Sequence, residues 1–279
     1  MKIALKILIA GGMVLALRGP SYAGSGRQDG SGVFDSVIVE EEFGPLYIFQ
    51  NDGRYGPDGT RFTASDVGQD RNLFPGRRTS VELRFQKRHS LILLYAPLDI
   101  TTYTVLEDDL QFRDTLFTAG TQVEHRYLFE GYRASYLYGV FSGERTSIDV
   151  GGTVQIRNAE VSFRETAGGL YDTENDIGLV FALKSRLRYF PWESGAWVMF
   201  EADGFSTFGL LGDEVRGAIY DLRLLLGLPV VPGADLIFGG RLIGGGAEVR
   251  RRDIDNWGNY GSFTAGFRFD LVKLFGSNR

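Results

Sequence analysis

The 279-residue chain has no cysteine, only two histidines, 43% apolar residues and 38 glycines. These figures exclude a disulfide scaffold, a cysteine nucleophile, a thiolate metal site and a histidine-rich zinc centre. Acidic residues outnumber basic ones by 35 to 30. That balance argues against a nucleic-acid partner, which needs a basic face.

Residues 1–23 read as a secretory signal peptide. Lys2 and Lys6 precede an apolar run, Ile7 to Leu17, that is too short to span a bilayer. Ser21 and Ala23 supply the small residues before a cut after Ala23. Arg18, beyond the apolar run, is an irregularity. No cysteine follows the cut, so a lipid anchor is not expected. Residues 24–43, rich in Gly and Ser and ending near Glu40-Glu41-Glu42, read as a flexible periplasmic lead-in. Residues 44–279 are then one domain, with no later apolar run of about 18 residues to form a transmembrane helix.

That domain has a period of two. From Thr79 to Arg88, Ser80, Glu82, Arg84 and Gln86 alternate with Val81, Leu83 and Phe85. Later, Ile177, Leu179, Phe181 and Leu183 alternate with Lys184, Arg186 and Arg188, and Phe263, Phe267 and Phe269 with Arg268 and Asp270. Alternation of this kind marks strands with one apolar and one charged face. It fits a soluble sandwich, apolar face inside, as well as a transmembrane barrel, apolar face outside. The export signal, the alternation of short and long connections and the Phe-rich last strand favour the barrel.

Counting back from residue 271, the strands fall near 258–271, 234–246, 214–228, 196–204, 176–189, 146–165, 121–141, 90–105 and 78–86, with one more in 44–66. The 121–141 segment is one long strand bulged at Gly131. The fold class is all-β, an antiparallel up-and-down transmembrane barrel of about ten strands, with short periplasmic turns and long extracellular loops. The count becomes twelve if Gly44–Asn51 and Arg61–Asp66 are both strands and Gly131 is a turn. Tyr127, Tyr132, Tyr136, Tyr138, Tyr189, Trp192, Trp197, Trp257 and Tyr260 are expected in interface girdles.

In these features the chain resembles bacterial outer-membrane β-barrel proteins, over the signal peptide and most of residues 60–271. The resemblance implies residence in the outer membrane, contact with its lipid and lipopolysaccharide, and handling by the barrel-insertion machinery. Such proteins usually end on an aromatic residue read by that machinery. Phe269 and Phe275 are candidates, although Gly276-Ser277-Asn278-Arg279 follows. No cofactor is expected, and the oligomeric state is open.

The inner face is expected to carry Glu82, Arg84, Arg157, Lys184, Arg186, Arg188, Glu201, Asp203, Asp221, Arg223, Arg241 and Arg268. In a narrow barrel such charges must pair or meet water. The bland reading is a salt-bridged, filled interior. The functional reading is a path for a small solute, and the basic excess of these twelve would favour anions. For catalysis, His89 and Ser90 are adjacent and so point to opposite faces of a strand. His125, near a rim acid such as Asp108 or Asp109, is the remaining candidate for an outer-leaflet enzyme of the lipid-A-modifying or protease type. Arg250-Arg251-Arg252 reads as a solvated loop or a lipopolysaccharide contact. Three readings stand: a non-enzymatic barrel, structural or passing a solute; a rim enzyme; and a soluble periplasmic β-protein with its Phe side chains inside.

Overall fold

A computed structural model describes residues 34–207 and 215–276. The expected signal peptide and most of the expected lead-in lie outside these residues. The strands are β1 (Ser36–Tyr55), β2 (Leu73–Phe85), β3 (His89–Val105), β4 (Leu110–Phe112), β5 (Thr115–Phe117), β6 (Gln122–Ser142), β7 (Thr146–Glu165), β8 (Tyr171–Tyr189), β9 (Trp197–Ser206), β10 (Val215–Val231), β11 (Ala234–Val249) and β12 (Ile254–Asp270), followed by the short helix α1 (Leu271–Gly276). Ten of them close an antiparallel barrel, with β1 bonded to both β2 and β12. β4 and β5 form a separate hairpin inside the β3–β6 connection.

Several expected boundaries move. β1 starts at Ser36, so residues 36–43 are barrel wall and not lead-in. Three consecutive glutamates disguise this strand because Glu is depleted in sheets. Here Glu40 and Glu42 point inward and Glu41 outward, which is ordinary strand alternation. Arg61–Asp66 contributes only an isolated bridge, Gly53 to Phe62, so the twelve-strand alternative falls. The register runs unbroken through Gly131, opposite Ala96 and Arg157. The irregularity in β6 lies instead between Gly139 and Phe141, beside the short turn. The polar loop expected at 247–257 is mostly strand: Val249 pairs with Ile254, and a single 3-10 turn at Arg250–Arg252 joins them.

The sidedness of the wall decides between membrane and soluble barrel. Ile177, Leu183 and Phe263 are 74%, 73% and 80% exposed on the outer surface. Lys184, Arg186, Glu201, Asp221 and Arg223 are buried inside. A soluble protein would invert this, so the soluble reading is corrected: Phe263, Phe267 and Phe269 face out. Strands of up to 21 residues exceed the roughly 9–11 a bilayer needs. On β6 the outward side chains between Glu130 and Ser142 carry no charge, about the length of one crossing. Tyr132 and Tyr136 lie on this outer face, with Tyr132 stacked on Tyr95 at 4.8 Å. Tyr127, Tyr260 and Trp197, expected in girdles, point inward and are corrected to lumen residues.

Trp197 shows how tightly the inner face is packed. Its indole lies across Gly227, its register partner, where an added Cβ would stand 2.0 Å from the ring. Gly227→Val is therefore expected to destabilise by overpacking, by about 1–3 kcal/mol. The check is a lower urea midpoint for the refolded barrel, with tryptophan emission shifted to the red.

Candidate functional site

The lumen is filled in layers. At the short-turn end, Trp197, Met199, Leu225 and Ile237 form an apolar base. Arg188 and Arg268 stand over the Trp197 ring at 5.4 and 5.3 Å, within cation–π range.

Above this base, a floor of ion pairs crosses the barrel from wall to wall. Arg223 of β10 donates to Glu201 on the neighbouring β9 at 2.7 Å, and to Glu42 on β1 at 2.7 Å, with Glu40 as a further partner. Arg78 of β2 donates to Glu40 and Glu42 at 3.0 Å each. Lys184 holds Asp203 at 2.6 Å. Arg186 of β8 clamps Glu82 of β2 with two bonds of 2.8 and 2.9 Å and also reaches Asp149 at 2.8 Å. Arg241 makes a bidentate pair with Asp221, at 2.8 and 2.6 Å, and Arg133 joins the same carboxylate. Forked guanidinium–carboxylate bonds are strong and directional, so they can brace strands on opposite sides of the lumen. Two voids in this layer measure about 10 Å³ each. That is about the space for one water molecule.

Over the floor lies a chamber of about 170 Å³. Its walls are mainly apolar, with Leu46, Leu98, Phe129, Val180, Ile219 and Ile243 among them, and its base is the Arg133–Asp221–Arg241 cluster. At the outer mouth, one side is closed by an apolar plug. Phe62 from the β1–β2 connection and Phe112 from β4 pack on Phe163 of β7 at 5.2 and 5.0 Å. Val67, Phe117 and Val123 complete it. The other side is tied by ion pairs. Arg252 reaches Asp176 at 3.1 Å and also Glu174, Arg157 pairs with Asp176, and Arg113 meets Glu174 at 3.2 Å.

All twelve charged residues expected on the inner face are placed there, and they alternate with outward apolar residues. Glu82, Lys184, Arg186, Glu201, Asp203, Asp221, Arg223 and Arg241 belong to the floor. Arg84 flanks it, bonded to Glu82 at 2.7 Å, and Arg188 and Arg268 lie at the base. Arg157 is at the outer mouth. Sequence reasoning missed their partners. Glu40 and Glu42 fell in the segment taken for a lead-in, Glu174 fell in a segment taken for a loop, and Asp176 stood at the expected start of a strand without being read as a lumen charge. Arg78 and Arg133 were not singled out, although the period of two that places Glu82 inward also places Arg78 inward. With these four acids and two arginines added, the inner face carries ten basic and eight acidic groups, so the basic excess read from the twelve residues narrows.

His125 is corrected from a rim candidate to a core residue. It is fully buried in the plug, with its ring 4.6 Å from that of Phe163 and its Nδ1 3.1 Å from the Gln69 amide nitrogen. Among the described residues no carboxylate is bonded to it, and Asp109 instead accepts from the backbone of Ala119 at 2.7 Å. A general base must reach a substrate proton, and this imidazole faces only the plug. His89 is on the outer face, bonded to the Tyr136 hydroxyl at 2.6 Å. Arg252 of the arginine run turns back onto Glu174 and Asp176, as described for the mouth.

In a bilayer core every backbone group must find an internal partner, and a closed antiparallel barrel meets that demand. With an apolar outside and a charged inside, this chain is a ten-stranded β-barrel of the bacterial outer-membrane type. No protein-family model matches the chain, and no curated protein matches it. Among solved structures it is similar to the transport unit of the autotransporter AIDA-I from Escherichia coli, with 9% identity, a TM-score of 0.42, and coverage of 94% of this chain and 97% of that one. It is similar to Ail, the attachment invasion locus protein of Yersinia pestis, with 10% identity, a TM-score of 0.39 and coverage of 84% and 99%. It is also similar to the COG4313 outer membrane channel from Pseudomonas putida F1, with 10% identity, a TM-score of 0.38 and coverage of 90% and 100%. These are likenesses of general architecture and carry nothing about activity.

Proposed function

We propose that this protein is an integral barrel of the bacterial outer membrane that is sealed to ions, with an apolar-walled chamber toward the outer side as its working part. The short turns then face the periplasm and the plugged mouth faces out, after export directed by residues 1–23. The observation that carries this reading is the floor centred on Arg223, Arg78, Glu42 and Glu201, which leaves voids the size of a single water. Conduction needs a continuous path with sites weak enough to leave. A lattice of short, forked ion pairs offers neither.

The test is planar-bilayer recording of the refolded protein, with folding first established by a heat-modifiable gel shift. The expected result is a folded barrel that inserts and stays silent. Discrete, reproducible conductance steps from the unmodified protein would overturn the seal.

A further inference from the structure

The wall of the barrel is not continuous. β2 and β3 are bonded from Phe85–His89 up to Thr79–Tyr95, and no further. Above that pair, among the described residues, β2 continues to Leu73 bonded to β1 alone, and β3 continues to Val105 bonded to β6 alone. The strands have parted while each keeps its other neighbour.

The gap opens into the chamber. Gly76, Arg77 and Arg78 on one bank and Ala96, Pro97 and Leu98 on the other all line it. By strand alternation Arg77 and Pro97 belong to the outer face, so the cavity reaches through the wall at this point. Pro97 has no backbone N–H to give to a ladder, and Gly76 puts no side chain in the way. Higher up the edge of β3 is covered again. Thr102 donates to the Val67 carbonyl at 2.7 Å, and Ala64 packs with Ile100. The opening is therefore a bounded window and not an unzipped seam.

Its height is set by its neighbours. Leu91, Leu93 and Tyr95 are the outward residues of β3 below the window, and Asp99, bonded to Arg126 at 2.8 Å, is the first charge above it. The window thus sits at the outer edge of the hydrocarbon band. Arg77 forms its lip, donating to Glu41 at 2.6 Å while remaining 57% exposed. Parted strands at membrane depth forgo backbone pairing that lipid cannot replace, and such gaps are tolerated where they line a cavity.

We infer that this gap is a lateral window through which an alkyl chain from the outer leaflet enters the chamber, its head group staying outside near Arg77. The inference rests on the chamber of the proposed function and names what fills it. The walls supply apolar contact, and the path from the bilayer keeps the chain out of water throughout.

The experiment uses the full barrel refolded into liposomes doped with a diazirine-bearing fatty acid, or separately with a phospholipid bearing the diazirine in one acyl chain. After illumination, labelled residues are located by mass spectrometry. Label on inward residues such as Phe129, Tyr260 and Ile243 is expected, and the probe that delivers it tells a free fatty acid from a membrane lipid. The chain has no native cysteine, so Arg77→Cys with Pro97→Cys can be bridged across the lip by a reducible bis-maleimide. Bridging is expected to cut inward labelling about tenfold, the loss that follows from excluding even two buried methylenes, and reduction should restore it. Label confined to outward residues such as Leu224 and Phe263 would overturn the window. So would inward labelling that bridging leaves unchanged. Conductance of the same liposome protein is read separately, so a leaky floor with intact, bridge-sensitive labelling would overturn the seal and leave the window standing.

Discussion

Arg223→Ala should cost the barrel about 3–5 kcal/mol, the usual consequence of removing one partner from a buried ion-pair network. Arg223 is the cation shared by Glu40, Glu42 and Glu201. Without it, three buried carboxylates depend on Arg78, Lys184 and Arg268, and the contacts of Arg78 and Lys184 to Glu201 are both long at 3.8 Å. The cost is that of uncompensated charge, more than of the lost bonds themselves. Urea unfolding in lipid vesicles, followed by tryptophan emission, measures it directly because Trp197 lies in the layer beneath. A loss under about 1 kcal/mol would mean that water reaches these carboxylates freely, as it reaches surface ion pairs. The floor would then not be dry.

The charge-balanced quadruple variant Glu42→Ala, Arg78→Ala, Glu201→Ala and Arg223→Ala should behave differently. It removes two acids and two bases together, so no large unpaired charge remains. Lys184 keeps Asp203, and Glu40 keeps Arg268 at 3.6 Å. The cost per residue should be smaller than for Arg223→Ala alone, since replacing a whole buried pair is often close to neutral. The voids now about 10 Å³ each would merge with the chamber above. Small, discrete conductance steps are expected in planar bilayers where the parent is silent. A quadruple variant that folds and stays silent would place the seal in the apolar base around Trp197 or in the plug at the mouth, and not in the floor.

These two variants separate what single residues announce from what neighbours decide. Lys184, Arg186 and Arg188 could be assigned to one common face of their strand, and Arg223 to the charged face of its own, from alternation alone, because a period of two puts every second side chain on one side. Phe263, Phe267 and Phe269 likewise declared the opposite face. Which face was inside did not follow from the period. It came from the company of the strands: an export signal, short and long connections in turn, and a Phe-rich last strand. Closure then confirmed it, since the charged face is the one that is buried.

The candidate site was less legible. Arg223 and Glu42 are 181 residues apart in sequence and 2.7 Å apart in the lumen. No local pattern links them, because their contact depends on barrel closure. For the same reason the count of charges that suggested anions left out Glu40, Glu42, Asp149, Arg78 and Arg133, which meet it from other strands. His125 looked catalytic by its rarity, and the plug that buries it is built from two connections, residues 56–72 and 106–121, whose fold depends on the mouth they fill. The lateral window had no sequence signal beyond Pro97 and Gly76, each unremarkable alone.

By itself, then, the sequence determined the strand period, a count of ten or twelve strands, the segregation of their charges to one face and the absence of cysteine chemistry. These follow from local alternation and composition, which need no knowledge of neighbours. Only the tertiary structure decided that the lumen is floored, that the mouth is plugged and that the wall parts between β2 and β3. Those features depend on which strands meet across the barrel, and that pairing is set by closure and register, not by any one segment.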